Sequence, residues 1–151
     1  MEVRLVRIAG ILSLTILLAS SGSNTLHVER INAPDYPFPA RYDNVQGTVN
    51  VNVDIGPDGR VTSARGSGAP EILVKAAEDN AKTWIFGPFP PVEEFPIYHT
   101  IQYVYKLEGK PKAVAYPPVI HTFLPDRIEV TAVPLFSDYP PLDKYNPIPR
   151  K

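Results

Sequence analysis

The stretch that decides the fold is Gly47–Ile55, with the sequence GTVNVNVDI. Valines and the final isoleucine occupy every second position of its later part, and Thr, Asn and Asp lie between them. Side chains of a strand point alternately to its two faces, so this pattern predicts a strand with one apolar and one polar face. Such strands are typical of antiparallel sheets that pack on one side only.

A second strand follows after a tight turn. Residues 56–59 are Gly-Pro-Asp-Gly, in which Asp-Gly is a hairpin signature. Residues 60–65 are therefore predicted to return along the first strand. Val61 and Ala64 do not fit a strict alternation, which a β-bulge would explain.

A helix and a third strand come next. Pro70 suits the start of a helix, and apolar or small residues recur at helical spacing as far as Trp84. The helix is predicted to stop before Gly87, and Trp84 is predicted to be a core residue over the sheet. Ile97–Leu107, with the sequence IYHTIQYVYKL, is predicted to be the third strand.

These elements predict an α+β fold in which one helix packs on a small three-stranded antiparallel sheet. We divide the chain into a signal peptide (1–21), a linker (22–35), a folded domain (36–110) and a Pro-rich extension (111–151). Within the extension, residues 119–124 and 128–133 are compatible with two short strands.

The N-terminus is predicted to direct export. Arg4 and Arg7 precede an uncharged run at 8–19, and small residues follow, which is the layout of a secretory signal peptide. Twelve helical residues span about 18 Å, against roughly 30 Å of hydrocarbon, so an uncleaved membrane anchor is the weaker alternative. The sequence therefore predicts an exported, periplasmic protein.

Composition argues against several classes of function. The chain has 151 residues, with 15 Lys and Arg against 16 Asp and Glu, so no nucleic-acid partner is expected. Cysteine is absent, which excludes thiol catalysis and zinc–thiolate sites. The three histidines, His27, His99 and His121, lack a metal-binding spacing, so we expect no metal and no cofactor. His99 is expected to be a hydrogen-bonded core histidine.

The order of motifs between Tyr36 and Leu107 resembles the C-terminal domain of the TonB energy-transducer family. The matching positions are, in chain order, Tyr36-Pro37 with Ala40, Gly47 with Val49, Val51 and Val53, Asp58-Gly59-Arg60-Val61, Ser67-Gly68 with Leu73 and Ala76-Ala77, and Ala81, Trp84, Phe86 and Pro88. The aromatic strand that ends at Leu107 completes the pattern.

The resemblance implies a periplasmic domain that binds proteins and is not an enzyme. In this family an edge strand pairs with a short extended segment of an outer-membrane receptor, and the anchored transducer passes energy to that receptor for transport. The family's spanning helix carries a Ser and a His, whereas the apolar run here contains no His. The family's long Pro-rich spacer contrasts with residues 22–35, which reach about 50 Å at most. The resemblance therefore implies that this chain binds a partner, and it does not extend to force transmission.

The third strand is the predicted binding edge. The side chains expected to flank a partner peptide are those of its outward face: Tyr98, Thr100, Gln102, Val104 and Lys106. The expected partner is an outer-membrane TonB-dependent receptor or a similar envelope protein, bound by β-strand addition. Homodimerisation through a strand edge stays open, and no tight small-molecule ligand is expected.

A different use of the same edge also stays open. Residues 119–133 are able to fold back and cover it, since natural sheets often protect their edges. The protein would then be a structural or assembly component of the cell envelope. An enzyme is not expected, because no acid, base, nucleophile and metal ligands converge in the sequence. Close packing of alanines against the sheet argues against a carrier with a large apolar cavity.

Overall fold

The computed structural model describes residues 26–89 and 94–136, so the predicted signal peptide lies outside the described residues. The strands are, in chain order, β1 (Val28–Arg30), β2 (Gly47–Ile55), β3 (Val61–Ser67), β4 (Ile85–Phe86), β5 (Ile97–Leu107), β6 (Val119–Phe123) and β7 (Arg127–Ala132). Helix α1 (Phe38–Tyr42) precedes β2, and helix α2 (Glu71–Ala81) follows β3.

The main sheet has five strands in the order β3-β2-β5-β7-β6. Strand β2 pairs antiparallel with β3 and β5, whereas β7 pairs parallel with β5 and antiparallel with β6. The α+β class is correct, but the prediction of a three-stranded sheet is wrong. Alternate residues of β7, namely Ile128, Val130 and Ala132, are apolar and buried, so this strand continues the core beside β5.

Helix α2 covers one face of the sheet through Leu73, Ala77 and Ala81, which are fully buried. The helix ends at Ala81, before Gly87 as predicted but short of Trp84, because the chain then turns away to form β4, which pairs with β1. Trp84 lies just beyond the helix and is fully buried, as predicted for a core residue. Its Nε1 atom donates a hydrogen bond of 3.1 Å to the side chain of Asn80.

The β2–β3 hairpin contains the predicted bulge. Asp54 pairs with Ser63 and Ile55 pairs with Val61, so Thr62 is the extra residue. The turn requires glycine at position 59, where φ is +77° and a Cβ atom would lie 1.9 Å from the carbonyl oxygen of Phe86. This close approach allows Phe86 N to donate a hydrogen bond of 2.8 Å to Gly59 O, which fixes β4 against the hairpin.

The opening of the folded domain is anchored by Tyr36. Its hydroxyl donates a hydrogen bond of 2.7 Å to Val45 O, and its ring packs edge-on against Tyr105 at 5.2 Å. Burial raises the pKa of Tyr36 to about 12, and it also raises the pKa values of Tyr103 and Tyr105. The segment predicted to be a linker, 22–35, contains β1 and therefore contributes to the fold.

Candidate partner-binding edges

The side of β5 that was predicted to bind a partner is occupied by β7. Gln102 N donates to Asp126 O at 2.8 Å, and Glu108 N donates to Ala132 O at 2.9 Å. Backbone groups alternate in direction along a strand, so the even-numbered residues of β5 direct their N–H and C=O groups toward β7. The expectation that β5 is the free edge is therefore wrong from Gln102 to Leu107, where the two strands pair.

Strand β6 is an outer strand of the sheet with open backbone groups. The same alternation directs the odd-numbered backbone groups of β7 toward β6, where they pair with Val119, His121 and Phe123. Ile120 and Thr122 consequently direct their N–H and C=O groups away from β7. No residue within 26–89 or 94–136 hydrogen-bonds to these backbone groups, so they form an open edge in the described structure.

Large apolar side chains accompany this open edge. Val119, Phe123 and Leu124 are 58%, 55% and 46% exposed. The Arg127 guanidinium lies 5.8 Å from the centre of the Phe123 ring. Exposed apolar side chains beside unpaired strand backbone are features of a surface that binds another polypeptide.

The edge at β3 is different because the domain covers part of it. Gly66 directs its N–H outward, and this group donates a hydrogen bond of 2.7 Å to Glu78 Oε1 on α2. A Cβ atom at position 66 would lie 2.9 Å from Val74 Cγ1, so any larger residue would force the Val74 side chain or the helix to shift.

The five residues predicted from the sequence to flank a peptide share the sheet face opposite α2. They are Tyr98, Thr100, Gln102, Val104 and Lys106. The Thr100 hydroxyl donates to Asn52 Oδ1 at 2.8 Å, and the Gln102 amide donates to Asn50 Oδ1 at 3.2 Å. Tyr98 is 75% exposed. The structure thus brings the five residues into one row with polar neighbours on β2, and their contact with a partner stays a prediction.

Charged side chains on this face join β5 to the extension. Lys106 Nζ donates a hydrogen bond of 3.1 Å to Glu129 Oε2 on β7, and Arg127 pairs with the other oxygen of the same carboxylate. The hydrogen bond from Lys106 is the main cause that lowers the pKa of Glu129. Lys106 therefore already has a partner within the chain.

The ends of the β6–β7 hairpin are held by side chains of the preceding domain. Arg41 on α1 donates to Val133 O at 2.9 Å through Nε and to Tyr116 O at 3.0 Å through Nη1. At the other end, His99 Nε2 lies 3.2 Å from Pro125 O, and the His99 side chain is 18% exposed. His99 is thus largely buried and hydrogen-bonded, as predicted, whereas no motif in the sequence marks Arg41.

The described part of the chain lacks two kinds of feature. No group of three or more His, Cys, Asp and Glu residues there is arranged to hold a metal ion. None of the described helices has both the length and the apolar character that a membrane span requires.

Comparison with known proteins identifies the family. Residues 32–107 match the family model of the Gram-negative bacterial TonB protein C-terminal, whereas no curated protein and no solved structure matches the chain. Domains of this family are non-enzymatic, serve protein interaction and energy transduction in the envelope, and interact with outer-membrane receptors. The match ends at the last residue of β5, so β6 and β7 lie beyond it. The chain belongs to the TonB C-terminal family, and its sheet continues past the matched region.

Proposed function

We propose that this protein is an interaction module of the cell envelope that binds an extended segment of a partner by strand addition to β6. The observation that supports the proposal is the outward direction of the backbone groups of Ile120 and Thr122, which have no hydrogen-bond partner among the described residues. An added strand would receive main-chain hydrogen bonds from these groups, and Val119 and Phe123 would contact its side chains. The partner we expect is an outer-membrane receptor or a similar envelope protein.

The energetics favour β6 over β5 as the binding edge. Between Gln102 and Leu107, a peptide could reach the β7 side of β5 only by displacing β7. Displacement would expose Ile128 and Val130, which are fully buried, at a cost of about 1.5–3 kcal/mol for each side chain. It would also break the parallel ladder and the contacts of Arg41 with Val133. A peptide that adds to β6 incurs none of these costs.

The proposed geometry changes the role of the five residues predicted on β5. A peptide on β6 lies three strand spacings from β5, or roughly 14 Å. Tyr98, Thr100, Gln102, Val104 and Lys106 would then contact a partner only where that partner also covers the polar face of the sheet. We therefore propose that these five residues contact the partner only if the partner is larger than a single added strand.

A second candidate function has its own supporting observation. Strand β7 occupies the edge that would otherwise accept a receptor segment, which is the arrangement expected of a structural or assembly component of the envelope. In that case the open β6 edge would pair with a second copy of the chain. Five residues form a small interface, so such a dimer would be weak unless other surfaces contribute.

An NMR titration separates these candidates. The chain from residue 22 onward is titrated with extended peptides taken from the N-terminal segments of outer-membrane receptors. Strand addition to β6 predicts the largest amide shifts at Ile120 and Thr122. Shifts concentrated between Gln102 and Leu107 would mean that the hairpin is displaced and would overturn the choice of edge. The homodimer alternative predicts β6 shifts that follow protein concentration without any peptide.

A variant pair tests the backbone contact itself. Thr122→Pro removes an N–H group that points away from β7, so the ladder to β7 is retained while one donor to the peptide is lost. Thr122→Val keeps that N–H and the β-branched shape. We expect binding to weaken by about tenfold in Thr122→Pro and to change little in Thr122→Val. Equal binding by both variants would contradict strand addition at this edge.

A further inference from the structure

Arg41 is the one buried charged residue in the described part of the chain. Its side chain extends from α1 toward the extension and is 1% exposed. Nε and Nη1 donate to the carbonyl oxygens of Val133 and Tyr116, while Arg41 O accepts a hydrogen bond from Leu135 N. These contacts satisfy part of the guanidinium, and no residue of the described ranges supplies a counter-ion for its charge.

The remaining nitrogen, Nη2, is buried and has no acceptor within 26–89 or 94–136. No carboxylate oxygen of the described residues lies within 4.0 Å of the Arg41 guanidinium. A buried guanidinium with one unpaired nitrogen and no counter-ion is unfavourable, since its desolvation is only partly repaid. An anionic oxygen acceptor would supply both the acceptor and the counter-charge, and a carboxylate matches the two-pronged geometry of the guanidinium.

A surface cavity of about 290 Å³ gives a ligand access to this region. It is lined by Asp35, Phe38, Arg41, Ala115, Tyr116, Pro117 and Pro118. Phe38 and Tyr116 are 53% and 56% exposed, and the Arg41 guanidinium carbon lies 6.0 Å from the centre of the Phe38 ring. The cavity is thus a short trough with aromatic and proline walls and one cation beneath it.

One carboxylate, that of Asp35, already lines the cavity. Its Oδ1 atom accepts a hydrogen bond of 2.8 Å from Tyr36 N, and the residue is exposed. Asp35 is positioned to accept an N–H group of an incoming peptide, and its charge weakens binding of an anion at the same time. Removal of the Asp35 charge should therefore strengthen the binding of an anion at this site.

We propose that the Arg41 cavity receives an acidic side chain of the partner's extended segment. The choice of a peptide as the source of the carboxylate rests on the proposed function, because Pro117 and Pro118 directly precede Val119, the first residue of the open β6 edge. A segment that pairs with β6 and continues past Val119 arrives beside the cavity. The side chain pairs with Arg41 Nη2 once the segment at 116–118 shifts outward, and Nη1 then exchanges its hydrogen bond to Tyr116 O for one to the carboxylate.

The test uses two peptides and the chain from residue 22 onward. The probes are an acetylated, amidated Thr-Val-Thr-Val-Thr-Val-Glu peptide, whose C-terminal Glu extends past Val119 when the peptide pairs antiparallel with β6, and the same peptide with Gln in place of Glu. Shifts of the Arg41 side-chain N–H signals report binding in the cavity, and shifts of the β6 amide signals report binding at the strand edge. We expect the Glu peptide to bind about tenfold more tightly than the Gln peptide and to shift the Arg41 signals.

Two exposed aspartates provide a matched pair of variants. Asp35→Asn removes the negative charge beside the cavity and keeps the oxygen that accepts from Tyr36 N. Asp43→Asn removes a charge at the end of α1 from a residue that does not line the cavity. We expect Asp35→Asn to strengthen binding of the Glu peptide about twofold to fivefold, and Asp43→Asn to leave it nearly unchanged.

The failures of the two proposals are distinguishable. Shifts along β6 with unmoved Arg41 signals, or equal affinity for the Glu and Gln peptides, would overturn the Arg41 site and leave strand addition intact. Shifts at Arg41 without shifts along β6 would retain the carboxylate site and overturn strand addition. If Asp138→Asn or Asp143→Asn moves the Arg41 signals in the absence of peptide, the chain's own tail supplies the carboxylate, which would overturn a partner as the source.

Discussion

The two outer strands of the sheet, β3 and β6, differ in how their unpaired backbone groups are covered. On β3, the outward N–H of Gly66 donates to Glu78 on α2, and a bulge at Thr62 interrupts the regular ladder. On β6, the outward groups of Ile120 and Thr122 have no partner among the described residues. Strand β3 lies within the region that matches the family, whereas β6 lies beyond it.

This difference indicates where a partner strand can add. Natural sheets protect their edges with covering elements, bulges, charged residues or proline. Strand β3 has a covering helix, a bulge and the charged side chain of Arg65, but the sequence of β6, VIHTF, contains neither Lys nor Pro. An unprotected edge is normally a liability in a protein, so an edge of this kind at the end of a well-packed sheet suits a binding surface.

Strand β6 is an outer edge only if β7 is a permanent part of the sheet. Truncation of a core side chain on β7 should therefore have the largest effect on stability. Ile128→Ala removes a fully buried side chain and should lower the free energy of unfolding by about 2–5 kcal/mol. Urea unfolding followed by circular dichroism measures this change. Unfolding should remain one transition, because β7 shares the core with β2 and β5.

Val119→Ala is the matched control for Ile128→Ala. Val119 lies on β6 and is 58% exposed, so its truncation should change the free energy of unfolding by less than about 0.5 kcal/mol. A loss below about 1 kcal/mol in Ile128→Ala, or a separate early transition, would mean that the hairpin detaches easily. The edge at β5 would then be the one that a partner meets.

Alkaline pH tests the core that both edges share. The pKa of Tyr36 rises from 10.0 to about 12 on burial, and burial raises the pKa values of Tyr103 and Tyr105 as well. The unfolded chain therefore loses these protons first, so the free energy of unfolding is unaffected by them below pH 10 and falls between pH 10 and 12. Urea midpoints measured at pH 8, 10 and 11 follow this fall. In Tyr36→Phe the fall should be smaller, and an unchanged fall would exclude Tyr36 as a contributor.

The sequence predicted the elements of this fold better than their arrangement. Alternation along β2, the Asp-Gly turn and the alanine-rich helix are local patterns, and each corresponds to an observed element. Residues 119–124 and 128–133 were also compatible with strands, and strands occur at nearly the same positions. Helix α2 ends short of Trp84, the last residue at helical spacing, because the pairing of β4 with β1, a contact distant in sequence, follows it.

Strand order and the buried charge depend on contacts that no local pattern contains. The apolar alternation of β7 is equally compatible with a separate hairpin and with a strand beside β5, and only packing of Ile128 against the common core decides between them. Arg41 likewise follows an ordinary-looking Pro-Ala pair, and its burial results from the extension closing over it. The outer edge of the sheet was therefore assigned to the wrong strand, although the strands themselves were recognised.

Opening the β3 edge should have a smaller effect on stability. Glu78→Ala removes the acceptor of the Gly66 N–H and should lower the free energy of unfolding by about 1 kcal/mol. Glu78→Gln keeps an oxygen acceptor at the same position and should cost less than half of that. Urea unfolding of both variants provides the measurement. Equal losses would mean that the charge of Glu78, rather than its hydrogen bond to β3, is what stabilises the fold.

The smallest expected difference can be measured on the unsubstituted protein. Amides along the β3 and β6 edges should exchange their hydrogens with solvent at different rates. Along β6, the amides of His121 and Phe123 face β7, whereas those of Ile120 and Thr122 face outward. We expect outward amides to exchange at least about tenfold faster than their inward neighbours. On β3, the outward amide of Gly66 should instead be protected by Glu78.

Equal protection of all amides along β6 would contradict an open edge. The effect of dilution on that protection would then show whether a second copy or another part of the same chain covers β6. If exchange at Ile120 and Thr122 speeds up as the protein is diluted, a second copy pairs with β6, and the edge is an assembly surface. If protection is independent of concentration, another part of the same chain covers β6, and a partner strand must compete with it. Fast exchange at both positions, at every concentration, leaves β6 as the edge on which an extended partner segment can add directly.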